Sequence, residues 1–94
     1  MIERDGNVLR LPEAMTLANA TSLRGAVGAW PSGGEVVMDL AGVKEVDSSA
    51  LSLLFEWQRQ AAQSKTRVRY LNIPANLQSL AALYGVTELL AKNA

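Results

Sequence analysis

Apolar and polar positions change period several times along this chain, and each change marks an element. Met1–Arg4 and Val8–Leu11 flank Asp5-Gly6, a turn dipeptide, so residues 1–12 read as a small hairpin that Pro12 closes. Ala20, Leu23, Val27 and Trp30 then recur at helical spacing. Thr16 can cap that helix, and Pro31-Ser32-Gly33-Gly34 stops it. Glu35–Leu40 is short, β-branched and mostly apolar, as in a strand buried within a sheet. A second helix opens at Asp47 or Ser48 and runs to about Ser64. Arg67–Ile73 alternates, with Val68 and Tyr70 opposed to Arg67 and Arg69, until Pro74 breaks it. Leu77, Leu80, Ala81 and Tyr84 stripe a third helix with Gly85 as its C′ residue, and Val86, Leu89 and Leu90 fold back onto the core.

The resulting order, β-β-α-β-α-β-α, predicts an α/β domain. Strands joined through helices imply crossovers and a small mixed sheet, with the helices packed mainly on one face. The 94 residues suit one such domain spanning 1–94, able to build a core without metal or disulfides.

The second helix has the most informative faces. At about 100° per residue, Ala50, Leu51, Leu53, Leu54, Phe55, Trp57, Ala61 and Ala62 fill one wide apolar arc. Ser48, Ser52, Glu56, Arg59 and Gln63 fall on the other side, so Ser48 begins the exposed stripe. Leu53 and Phe55 lie at its borders, as core edge or as the apolar rim of a docking surface.

Composition narrows the chemistry. The chain has no cysteine and no histidine, which removes thiolate sites, disulfides, the commonest general base and every Ser-His-Asp arrangement. A hydrolase would need a base for its serine, and no Ser-Lys pair is evident, so no enzyme and no cofactor are expected. Nine Lys and Arg balance nine Asp and Glu, leaving no electrostatic footprint for nucleic acid. Met1-Ile2-Glu3-Arg4-Asp5 is charged where a signal peptide would turn apolar, and no run approaches the roughly 20 residues that span a bilayer. A cytoplasmic protein without direct membrane insertion is expected.

Asp47-Ser48-Ser49 reads first as a helix cap, its oxygens satisfying unpaired amide N–H groups. It also reads as a switchable contact. A phosphate on Ser48 would meet free N–H groups and the positive helix end, while its charge would spoil a close interface beside Asp47. Other signals are plainer. Ser32-Gly33-Gly34 lacks the Lys-Ser/Thr of a phosphate-binding loop and reads as an ordinary connection. Asp39 and Asp47 lack a third metal ligand. Arg67 and Arg69 read as a solvated face, with an acidic contact as the alternative. Trp30 and Trp57 read as core, Trp57 becoming an interface anchor if partly exposed, while Leu83-Tyr84 is open between core and contact surface.

Val36-Val37-Met38-Asp39-Leu40, then Val43, Val46 and Asp47-Ser48-Ser49-Ala50-Leu51, resemble the signature of the STAS domain, the fold of bacterial anti-sigma-factor antagonists. That signature is a buried strand, a short loop and Asp-Ser/Thr-Ser/Gly-Gly-Leu opening a helix. Ala50 stands where the family usually has glycine, and its small methyl suits a helix. Within the family, Leu11–Ala20 and Leu80–Val86 resemble the branch of small cytoplasmic subunits in Mla phospholipid-transport ABC complexes of Gram-negative bacteria.

The resemblance implies a non-enzymatic subunit that binds the complex's ATPase and supports its assembly or activity. Ser48 matches the Ser/Thr at the family's partner contact, and Asp47, Ser48, Ser49, Ser52, Glu56 and Arg59 form the expected surface. The alternative it implies is an anti-sigma-factor antagonist controlled by a serine kinase through phosphorylation of Ser48.

Overall fold

The chain is described by a computed structural model over residues 2–28, 30–31 and 33–91, so the expectations placed on Met1 and Ser32 lie outside the described residues. Strands Glu3–Asp5 (β1) and Val8–Arg10 (β2) form the expected antiparallel hairpin, turning through Gly6 at φ +63°. After β2 come a two-residue strand Ala14–Met15 (β3) and helix Ala20–Ala26 (α1). Strand Glu35–Asp39 (β4) and the short Glu45–Val46 (β5) lead into the long helix Ser48–Gln63 (α2). Strand Arg67–Leu71 (β6), helix Ala75–Leu83 (α3) and the turn-length helix Glu88–Ala91 (α4) complete the order.

The seven expected elements occur in the expected sequence, and β3, β5 and α4 are additions. β3 and β5 are too short to carry a hydrophobic period, and they pair only with each other, in parallel. The main sheet runs β1-β2-β4-β6, antiparallel at the hairpin and parallel thereafter. Each parallel step is made through a helix, α1 between β2 and β4 and α2 between β4 and β6.

Because side chains alternate along a strand, register decides which residues face the helices. Leu9, Met38 and Tyr70 share one row and Val36 and Val68 another, all buried. Against them α2 sets Ala50, Leu51, Leu53, Leu54, Trp57 and Ala61, while α1 adds Leu23, α3 adds Leu77 and Ala81, and α4 adds Leu89. Each fully enclosed leucine or methionine contributes about 1.5–3 kcal/mol. The Tyr70 hydroxyl reaches the Leu54 carbonyl at 3.0 Å, tying β6 to the middle of α2, and burial pushes its phenol pKa well up.

Three local expectations change. Thr16 does not cap α1: Asn19 holds the cap position, accepting the Thr16 N–H at 3.0 Å and donating to the Ala14 carbonyl at 2.8 Å. Those bonds favour a turn over residues 16–19 and delay the helix. Trp30 falls beyond α1 and is half-buried, its Nε1–H donating to Gln60 Oε1 at 2.7 Å. In α2, Phe55 and Ala62 are exposed, because the arc actually covered is narrower than the apolar arc of the sequence.

Helices α2 and α3 end alike. After α3, Gly85 at φ +71° lets its N–H reach the Ala82 carbonyl and the Val86 N–H reach Ala81. After α2, Lys65 at φ +56° does the same, with its N–H on Ala62 and the Thr66 N–H on Ala61.

Candidate functional site

The start of α2 is positioned by the chain that precedes it. β5 is zipped to β3, and the Lys44 and Glu45 N–H groups both donate to the Glu13 carbonyl, at 2.7 and 3.0 Å. The Asn76 side chain of α3 holds the Lys44 carbonyl at 3.0 Å. Asp47 therefore arrives beside the turn at residues 16–19 with little freedom.

Its carboxylate has two jobs. Oδ1 accepts the Ser49 N–H at 2.8 Å, capping α2, and Oδ2 accepts the Leu17 N–H at 3.0 Å. The Leu17 amide is the main reason that the Asp47 pKa lies below the ordinary carboxylate value, with the Ser49 contacts adding to it. Asp47 is thus engaged within the fold. Ser49 is half-buried, whereas Ser48 and Ser52 are exposed, on the outward edge of the first two turns. Ala50 is fully enclosed, so the methyl that replaces the family's usual glycine is packed in the core.

Further along the stripe, Arg59 holds the Glu56 carboxylate through Nη2 at 2.6 Å and Nε at 3.3 Å, and Gln60 adds a bond at 2.9 Å. Arg59, then Gln60, lower the Glu56 pKa. The two charges offset each other within the stripe.

Two grooves flank that end. One, of about 340 Å³, runs between α1 and α2 and is lined by Leu17, Thr21, Arg24, Ser49, Ser52 and Glu56 among others. The other, of about 280 Å³, is lined by Ser48, Leu51, Ser52, Phe55, Tyr84 and Val86. Ser52 lines both and is their shared wall. Leu17, Phe55 and Tyr84 are 78%, 48% and 57% exposed, so large apolar side chains edge both sides of the serine ridge. Trp57, by contrast, has no exposed surface and is core, not an anchor.

Of the residues singled out from sequence, Ser48, Ser52, Glu56 and Arg59 lie along one face of α2, with Ser49 beside them and Asp47 beneath as a brace. Sequence reasoning missed Leu17. Its place depends on a hydrogen bond to a residue thirty positions away, and no local period signals that. Among the described residues no group of acidic side chains could hold a metal ion. Asp39 is occupied within the loop after β4, accepting from Asn72 Nδ2 and the Ala41 N–H, both at 2.9 Å, and these bonds lower its pKa.

A small α/β domain with a mixed sheet, its crossover helices on one side and an Asp-capped helix opening on serines is the build of a STAS domain. The family model described as "Mlab, STAS domain" matches residues 1–91, and the chain belongs to that family. The family expected from residues 36–51, and its branch expected from 11–20 and 80–86, are thereby borne out. No match is found among the curated proteins. Membership makes the chain a regulatory or accessory type of domain, of a family that acts through contacts with other proteins.

Proposed function

We propose that this chain is a non-enzymatic, cytoplasmic STAS subunit that docks on the ATPase of a Mla-type phospholipid-transport ABC complex and supports its assembly or activity. The observation that carries the reading is the Ser48–Ser52 ridge, set between two grooves that Leu17, Phe55 and Tyr84 edge. A polar, small-residue ridge with apolar rims fits an interface in which a few large side chains supply most of the affinity. The match to the family model described as "Mlab, STAS domain" supports this choice of partner, and residues 1–94 act as one STAS unit in this reading. No described helix is long and apolar enough to cross a membrane. In this reading the complex holds the protein at the inner membrane.

The partner surface comprises Ser48, Ser49, Ser52, Glu56 and Arg59 together with the rim residues, and Asp47 holds it in shape. The test is calorimetric titration of a Mla-type ATPase subunit with the chain, then with its Ser48→Asp variant. Binding that weakens at least about tenfold in the variant, about 1.4 kcal/mol, supports the reading. Absence of binding, with a serine kinase that phosphorylates Ser48 instead, assigns the chain to the anti-sigma-factor antagonists.

A further inference from the structure

The side of the sheet that faces away from the helices carries a pattern of its own. Strand register places Asp5, Val8, Val37 and Arg69 in one row across β1, β2, β4 and β6. The neighbouring row is Glu3, Arg10, Asp39 and Leu71. No described helix covers this face: Asp5, Arg10 and Arg69 are exposed, and Val37 is shielded to 8% exposure while standing outside the hydrophobic core cluster.

Each row is complementary to its own reverse. A two-fold axis parallel to the strands, lying between β2 and β4, would lay β1 of one copy over β6 of the other. The first row then sets Asp5 against Arg69, Val8 against Val37, Val37 against Val8 and Arg69 against Asp5. The second sets Arg10 against Asp39 in both directions and Glu3 against Leu71. No like charges meet in either row. An axis perpendicular to the strands would instead stack β1 on β1, acid on acid, and β6 on β6, base on base. The geometry points to a second copy of this chain as the occupant of the face, in an isologous dimer with the sheets stacked about 10 Å apart and nearly aligned.

The contacts that must be given up are weak. Asp5 meets Arg10 at 3.5 Å and Arg69 meets Glu35 at 3.7 Å, each with at least one well-exposed partner. A face of roughly 300 Å² is below the standard interface size of about 800 Å² per partner, so the dimer forms reversibly with concentration. Its charge pairs are screened by salt, and association weakens as ionic strength rises.

Sedimentation equilibrium of the full chain, in a concentration series at low salt, reads the association directly. Asp5→Arg places arginine against Arg69 at both ends of the pair, and Arg69→Asp places aspartate against Asp5. Each variant alone should stay monomeric. Mixed in equal amounts they should associate, because both end pairs become opposite in charge in the mixed dimer. Far-UV circular dichroism and a melting curve confirm that each variant is folded. A wild-type chain that stays monomeric throughout the series overturns the proposal, as do variants that self-associate like wild type or a mixture that fails to associate. The contact is separate from the α2 surface, so Ser48→Asp should leave the equilibrium unchanged.

Discussion

Asp47 holds the backbone of Leu17 at 3.0 Å while capping its own helix at Ser49, and so joins two segments thirty residues apart through one carboxylate. A bond of this kind to an ionised acceptor is stronger than a neutral one. The turn at residues 16–19 and the first turn of α2 are therefore built as one unit, and Leu17 is displayed from a braced backbone.

Replacing Asp47 with alanine should lower the melting midpoint by several degrees and release the Leu17 amide to rapid hydrogen exchange. Asp47→Asn should be milder, since it keeps an acceptor without the charge. The folded pKa of Asp47 lies below its unfolded value, so its stabilising effect is full above about pH 4 and is lost as pH falls through the folded pKa. The thermal melts of wild type and Asp47→Asn should draw together only as pH falls through that folded pKa, beneath the ordinary carboxylate value. A constant difference down to the most acidic point would show that the charge has no role.

The two left-handed C′ positions should respond in opposite directions. Lys65 at φ +56° occupies a conformation that costs a side chain about 1 kcal/mol, so Lys65→Gly should stabilise by about that amount. Gly85→Ala should destabilise similarly, and only through the backbone, because a Cβ there meets nothing within 4 Å. Urea midpoints at unchanged slope would check both.

Trp57 is the largest fully enclosed side chain. Trp57→Ala should cost about 3–5 kcal/mol, most of the margin of a small domain, and leave a large unfolded fraction at 37 °C. Trp57→Phe should cost less, since no described acceptor is lost: the buried Nε1–H has none. Denaturant melts give the comparison.

The rim residues separate docking from folding. Leu17→Asp, Phe55→Ala and Tyr84→Ala remove groups that already meet water, so each should leave the melting temperature nearly unchanged. On the proposed docking, each should nevertheless weaken ATPase binding by about tenfold. Ser52→Arg should block both grooves at once, whereas Ser52→Ala should be tolerated. Titration of each variant against the ATPase would resolve them, and a Tyr84→Ala chain that binds like wild type would remove Tyr84 from the surface.

The fold was legible where period and punctuation agree. Val68 and Tyr70 alternate with arginines, Leu51, Leu54 and Trp57 recur at helical spacing, and Gly85 closes α3. What escaped was non-local or short. Thr16 does not cap α1 because Asn19 turns its side chain back onto residues 14 and 16. β3 and β5 exist through their pairing, which two residues cannot announce. On the site, the exposed edge at Ser48 and Ser52 follows from the helical wheel alone. The Phe55 border position left two readings open, and only the packing of α2 decided for water.

The described helices pack against one side of the main four-stranded sheet, which gives the molecule two sides of unlike chemistry. Ligands on the two sides are separated by the thickness of the sheet and do not share a side chain. Their binding energies should therefore add with little coupling. A pair of chains joined through their sheets would turn both serine ridges outward and act as a bivalent connector. A partner that is itself two-fold could then gain avidity through effective concentration wherever its spacing lets both ridges engage.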